Sequence, residues 1–132
     1  MSFREIVFEY AKERYGVLPD YPWMKYPEYA VFRHSENGKW FALVMDVRRN
    51  RLGLDGDDFV DAVNLKVDDM FYRDVLFRDG GIFPGYHMNK EKWITVLLDG
   101  TVSEERLFEL LDVSFEATKP KKKKPNERSK ES

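Results

Sequence analysis

The stretch Gly80–Val96, GGIFPGYHMNKEKWITV, constrains the fold more than any other part of this chain. Gly80 and Gly81 permit positive φ, Pro84 fixes its own φ and keeps Phe83 extended, and Gly85 frees the next bend. Backbone punctuated in this way is a shaped loop. The run Trp93-Ile94-Thr95-Val96-Leu97 that follows is aromatic and β-branched and reads as a supporting strand. Held on that support are Tyr86, His87, Asn89 and Lys90, in the kind of position where recognition groups sit. Two readings stand side by side. Either these side chains recognise something, or Tyr86 and Trp93 are half-buried core and His87 bonds a backbone carbonyl.

The rest of the chain supplies elements around this loop. Residues 2–15 repeat Phe3, Ile6, Val7, Tyr10 and Ala11 at helical spacing, with Ser2 as cap and Gly16 as terminator. Residues 17–28 contain three prolines, which excludes a helix; Tyr21, Trp23 and Tyr26 suggest that the segment packs against the domain. Trp23 is expected to anchor the core there, with a pocket wall as the other option. Tyr29–His34 and Lys39–Val47 flank Asn37-Gly38, a hairpin signal, and place His34 at the surface beside the turn. Trp40–Met45 is apolar on both faces and reads as a central strand. Arg48, Arg49 and Arg51 follow near a strand reversal, just before Asp55, Asp57 and Asp58. They read either as a projecting wing that touches phosphates or as a solvated turn balanced by the aspartates. Asp61–Val67 is a further strand, with Val63, Leu65 and Val67 on one face and Asn64 and Lys66 on the other. Asp68 is expected to cap a short helix to about Arg78, with Phe71, Val75 and Leu76 inward. Ser103 caps a last helix carrying Leu107, Phe108, Leu110, Leu111 and Phe115, with Glu104 and Glu105 at its positive end.

The run Pro84-Gly85-Tyr86-His87-Met88-Asn89-Lys90 with Lys92-Trp93 resembles the signature of the MmcQ/YjbR proteins. Tyr21-Pro22-Trp23, Val31-Phe32-Arg33-His34, Trp40-Phe41-Ala42-Leu43 and Val63-Asn64-Leu65-Lys66 agree with it in order, so the resemblance covers residues 1–118. It implies a CyaY/frataxin-like sandwich with a double-wing arrangement, and DNA binding, a label these proteins carry on structural grounds. The frataxins use an acidic first helix to attract metal. Here Glu5, Glu9 and Glu13 form a comparable stripe, but Lys12 and Arg14 interrupt it, and a solvated surface is expected instead. The chain departs from the family after Asn-Leu-Lys, where Cys-Asp-Pro is usual and Val67-Asp68-Asp69 stands here.

Composition narrows the function. At 132 residues with 42% hydrophobic and 15% aromatic content, the chain is one domain's worth and can bury a real core. Absence of cysteine excludes disulfides, thiolate metal sites and thiol catalysis. No apolar run is long enough to span a bilayer and no signal-peptide pattern is present, so a cytoplasmic location is expected. The net charge of −2 hides an asymmetry: residues 119–132 carry seven basic and two acidic residues, leaving −7 on residues 1–118. We therefore expect a domain over 1–118 and a basic, disordered tail over 119–132.

No Walker loop, dinucleotide glycine pattern, nucleophile elbow or paired-histidine metal motif is present, and no nucleophile stands beside His87. The expectation is a non-enzymatic monomer without catalytic residues, metal or cofactor. Its first partner reading is DNA, with phosphates contacted by Arg48, Arg49, Arg51, Lys66, His87, Lys90 and Lys92 and with Tyr86 and Trp93 as stacking surfaces. The alternative is a protein- or small-ligand-binding module, with Tyr86, His87, Asn89 and Trp93 forming a pocket wall. The fold expected is α+β: a mainly antiparallel sheet of about five strands, ordered α-β-β-β-β-α-β-α, with helices on one face.

Overall fold

The computed structural model describes residues 1–121; residues 122–132, most of the basic tail, lie outside the described residues. Ser2 starts helix α1 (Phe3–Tyr10) with a reciprocal cap. Its Oγ accepts the N–H of Glu5 at 3.1 Å, and Glu5 Oε1 accepts the N–H of Ser2 at 2.8 Å. The helix widens into a π-helical turn over Ala11–Tyr15 and stops at Gly16, whose φ of 69° suits glycine. Strands β1 (Ala30–Arg33) and β2 (Trp40–Arg48) form the foreseen hairpin, with Gly38 at φ 71° and its N–H on the His34 carbonyl at 2.9 Å. Then follow β3 (Phe59–Lys66), α2 (Met70–Leu76), β4 (Ile82–Pro84), β5 (Trp93–Leu97) and α3 (Glu104–Thr118). The five strands form one antiparallel sheet in the order β1-β2-β3-β5-β4.

One face of the sheet meets the helices. Val63, Leu65, Ile94 and Val96 pack there against Val7 of α1 and Leu107, Leu110 and Leu111 of α3, all at most 1% exposed. Side chains buried to this degree each contribute about 1.5–3 kcal/mol by leaving water. Helices α1 and α3 are also tied to each other. Tyr10 stacks on Phe108 and Tyr15 on Phe115, both at 4.0 Å, and both phenols donate to the Asp112 carboxylate. Burial, and then Asp112, push both phenol pKa values up, which keeps them neutral donors.

The opposite face is apolar too, with Val31, Leu43, Met45, Ala62 and Leu97 buried, but loops cover it. Its cover comes from Trp23 and Tyr29 of the proline-rich segment, from Leu52 and Leu54, and from Tyr86. A register slip decides which face Trp40 joins. Phe32 pairs with Ala42, but Arg33 pairs with Trp40, so Phe41 is an extra residue in β2. Phe41 and Ala42 consequently both face the helices, and Trp40 emerges on the loop-covered side. Strict alternation would have sent Trp40 to the helix side.

The structure corrects several expectations. A strand foreseen before α2 is instead β4, which lies after it inside the signature stretch. It pairs only with β5 at the sheet edge, where Pro84 costs no ladder bond. The cap of α2 is Asp69 rather than Asp68, its carboxylate accepting from the N–H groups of Phe71 and Tyr72. The inward side of the helix carries Arg73 and Leu76, while Phe71 and Val75 are exposed at 79% and 52%. His34 is buried rather than on the surface, with Nε2 2.8 Å from Thr118 Oγ1 and its ring against Phe115. Burial lowers its pKa.

Candidate ligand-binding cleft

The signature loop is held from below by two fully buried polar side chains. Asn64 on β3 and Thr95 on β5 are opposite each other in the ladder. Thr95 Oγ1 donates to Asn64 Oδ1 at 2.6 Å and accepts the N–H of Tyr86 at 2.8 Å. Asn64 Nδ2 donates to the Tyr86 carbonyl at 2.7 Å. Both backbone groups of Tyr86 are thus tied to the sheet, and each side-chain polar atom of the pair has a partner. Gly85 lets the loop come this close. A Cβ there would sit 2.8 Å from Trp93 Cβ and 3.0 Å from the Trp93 carbonyl oxygen, which accepts the Gly85 N–H at 2.9 Å. Further along, Asn89 Oδ1 accepts the N–H of Glu91, and the Asn89 carbonyl accepts those of Lys92 and Trp93. Asn89 is a turn former.

Between these anchors His87 takes φ 67°, among the described residues the one non-glycine with positive φ. Its ring lies 4.0 Å from that of Tyr86. Burial lowers its pKa, and the charges of Lys90 and Arg51 lower it further, which favours the neutral imidazole.

His87 and Met88 form one wall of a cleft of about 300 Å³ on the loop-covered face. Trp23, Tyr26 and Tyr29 form another wall, and Trp40 and Leu43 rise from β2. The aromatic rings are set against one another. Trp23 meets Tyr29 at 5.9 Å and Trp40 at 5.6 Å, both edge to face, and Tyr26 stacks on Tyr29 at 4.9 Å. The segment that carries Trp23 is pinned by paired backbone bonds between Asp20 and Val31 and by the Arg33–Asp20 ion pair, each at 2.8 Å.

Two further clefts continue this one. A cleft of about 330 Å³ shares Tyr26, Tyr29 and His87 with it and adds Arg48, Arg51, Asp46 and Phe59. On the other side, a cleft of about 240 Å³ shares Trp40 and Met88 and adds Lys39, Lys66 and Trp93. The middle is aromatic and both ends carry cations.

The residues foreseen from sequence divide accordingly. Arg48, Arg51, Tyr86 and His87 come together in the second cleft, and Lys66 and Trp93 in the third. Arg49 does not join them. It leaves the Arg49–Leu52 3₁₀ turn towards Asp58 and Asp99, at 3.4 and 3.9 Å. Arg48 lies 4.5 Å over the Phe59 ring and donates to the Asp57 carbonyl. Arg51 is exposed and has no ion pair among the described residues. Lys90 folds back to the Gly85 carbonyl at 3.1 Å, and Lys92 is exposed. Tyr26, Tyr29, Trp40, Leu43 and Met88 were not foreseen as site residues. They come from separate segments, and only the aromatic content of residues 21–29 hinted at them. Among the described residues, no group of three or more His, Cys, Asp and Glu side chains is arranged to hold a metal ion. Nor, among them, is any helix long and apolar enough to cross a membrane.

The family model described as YjbR matches residues 12–117. The chain belongs to the MmcQ/YjbR family. This YjbR chain is 46% identical to the uncharacterized protein YyaQ of Bacillus subtilis over 119 residues, 90% of this chain and 100% of that one. It is similar to a Pseudomonas syringae protein solved by crystallography, with a TM-score of 0.84 and 46% identity over 88% of this chain and 98% of the other. It is similar also to the Deinococcus radiodurans protein DR2400, at 29% identity and a TM-score of 0.69, covering 98% of this chain and 88% of the other. The two solved proteins share the fold of this chain.

Proposed function

We propose that this YjbR protein is a non-enzymatic binding module that receives a flat ring in its aromatic cleft. One observation carries the reading: rings from residues 23–29, Trp40 and the 86–88 loop converge on one cleft while remaining only partly buried. Rings kept partly open to water along a concave wall retain apolar area for a ligand to cover. The rigid support beneath Tyr86 favours a preformed site, which lowers the entropic cost of binding. Of the residues lining the cleft only His87 and the tyrosine hydroxyls exchange protons, and none is a serine, threonine or carboxylate. That composition supports binding rather than turnover. Mapping NMR shifts on the full chain with uncharged flat-ring fragments, indole and adenosine among them, tests the reading. Saturable shifts at residues 23–29, 40 and 86–88 are expected; shifts confined to other surfaces overturn it.

The cations at both ends favour a second reading, contact with DNA along the same face. Arg51, Lys39 and Lys66 would meet phosphates, with steep salt dependence. Anisotropy of labelled single- and double-stranded DNA at about 50 and 200 mM salt tests this. It is measured on the full chain and on one ending at Thr118, with Arg51→Glu and Lys66→Glu variants. Binding that needs only the tail overturns it for the folded body.

A further inference from the structure

The second cleft adds what the first lacks, a place for negative charge. Arg51 has no ion pair among the described residues, and its position within a 3₁₀ turn points it to solvent beside the shared wall. Arg48 is held in place by Phe59 and the Asp57 carbonyl, which orients its guanidinium, and it has no carboxylate ion pair among the described residues. His87 sits on the boundary, lining both clefts. Among the described residues the one carboxylate lining this second cleft is Asp46, so two arginines outweigh one acid, and its oxygens can accept a hydrogen bond from a hydroxyl or amine. The two clefts adjoin at Tyr26, Tyr29 and His87, so a ligand reaching past these side chains would touch both.

Resting on the flat-ring reading of the central cleft, we propose that the natural ligand couples a ring to an anionic group, the chemistry of a nucleotide. The ring lies among Trp23, Tyr26 and Trp40, and the phosphate is held by Arg51 and Arg48 beside His87. A free nucleotide and one nucleotide of a nucleic-acid strand present the same chemistry, and the experiment separates them.

The full chain is titrated with adenosine, adenosine 5′-monophosphate, inorganic phosphate and a short single-stranded oligonucleotide, read by tryptophan quenching and calorimetry. A charge-assisted contact made by the phosphate predicts that the nucleotide binds about tenfold or more tightly than the nucleoside. Arg51→Ala, which leaves Arg48 in place, is expected to shrink that difference while leaving adenosine affinity unchanged. Arg51 is exposed, so the variant folds, and its melting temperature checks this. Tight binding of the mononucleotide assigns a free nucleotide; binding of the oligonucleotide alone, again weakened by Arg51→Ala, assigns a strand. Equal binding of nucleoside and nucleotide overturns this inference and leaves the flat-ring reading standing. No quenching by any of the four, with Trp40→Leu indistinguishable from the parent, overturns both.

Discussion

Replacing Thr95 with valine tests whether the buried pair beneath the signature loop holds it in place. Valine nearly matches threonine in shape, so Thr95→Val leaves no cavity and removes only the hydroxyl. Two bonds go with it, the one donated to Asn64 Oδ1 at 2.6 Å and the one accepted from the Tyr86 N–H at 2.8 Å. A buried polar group left without a partner costs about 1–3 kcal/mol, and two such groups, one only partly buried, give about 2–4 kcal/mol. That is a large share of the roughly 5–15 kcal/mol that stabilises a domain. It corresponds to a fall in melting temperature on the order of 10 °C for a chain of this size. Urea unfolding followed by tryptophan fluorescence measures it directly. Asn64→Ala should be costly too, and the double variant should cost less than the sum, because the two side chains share a bond. A loss below about 0.5 kcal/mol for Thr95→Val, the size of an ordinary surface change, would refute the argument. The loop would then be held by the Asn64–Tyr86 carbonyl bond, the Gly85–Trp93 backbone bond and the Lys90 contact.

Gly85→Ala should destabilise by about 1–3 kcal/mol and shift NMR resonances across residues 84–93, because the new methyl meets backbone that cannot yield. An unchanged melting curve and spectrum would contradict the close approach. Asp69→Ala should cost about 1 kcal/mol through loss of the α2 cap, whereas Asp68→Ala should cost almost nothing in the same urea titration. Stability should fall as pH drops from 7.5 to 5.5. His34 and His87 both have folded pKa values below the usual 6.5, so the unfolded chain takes up protons first and is favoured. The loss levels off once pH passes below the folded values. Urea midpoints of the parent and of His34→Gln measure it, and a flatter slope is expected in the variant.

Much of this protein is legible in short windows of sequence. Ser2 with Glu5, Gly16, Asn37-Gly38 and Ser103 mark element ends because caps and turns depend on a few adjacent residues. Alternation along Val63, Asn64 and Leu65 assigns the faces of β3, and the glycines of the signature loop foretell its bends. The α+β class and the MmcQ/YjbR resemblance follow from such local signals taken in order. Where two adjacent residues compete for one role, the local signal fails. Asp68 and Asp69 both suit a cap, and the structure uses the second; Phe71 and Arg73 likewise exchange the roles their polarity suggests, Phe71 exposed and Arg73 buried.

Other features depend on contacts between distant segments. His34 looks like a turn-flanking surface residue until α3 places Thr118 and Phe115 upon it. The three arginines look alike in sequence, yet Arg49 meets Asp58 and Asp99 while Arg51 is left open. The cleft itself joins residues 23–29, 40 and 86–88, and Trp40 reaches it only through the extra residue at Phe41. The sequence determined the elements, because they answer to neighbours along the chain. The tertiary structure decided the cleft, because strand register and loop packing determine which rings meet on one face of the sheet.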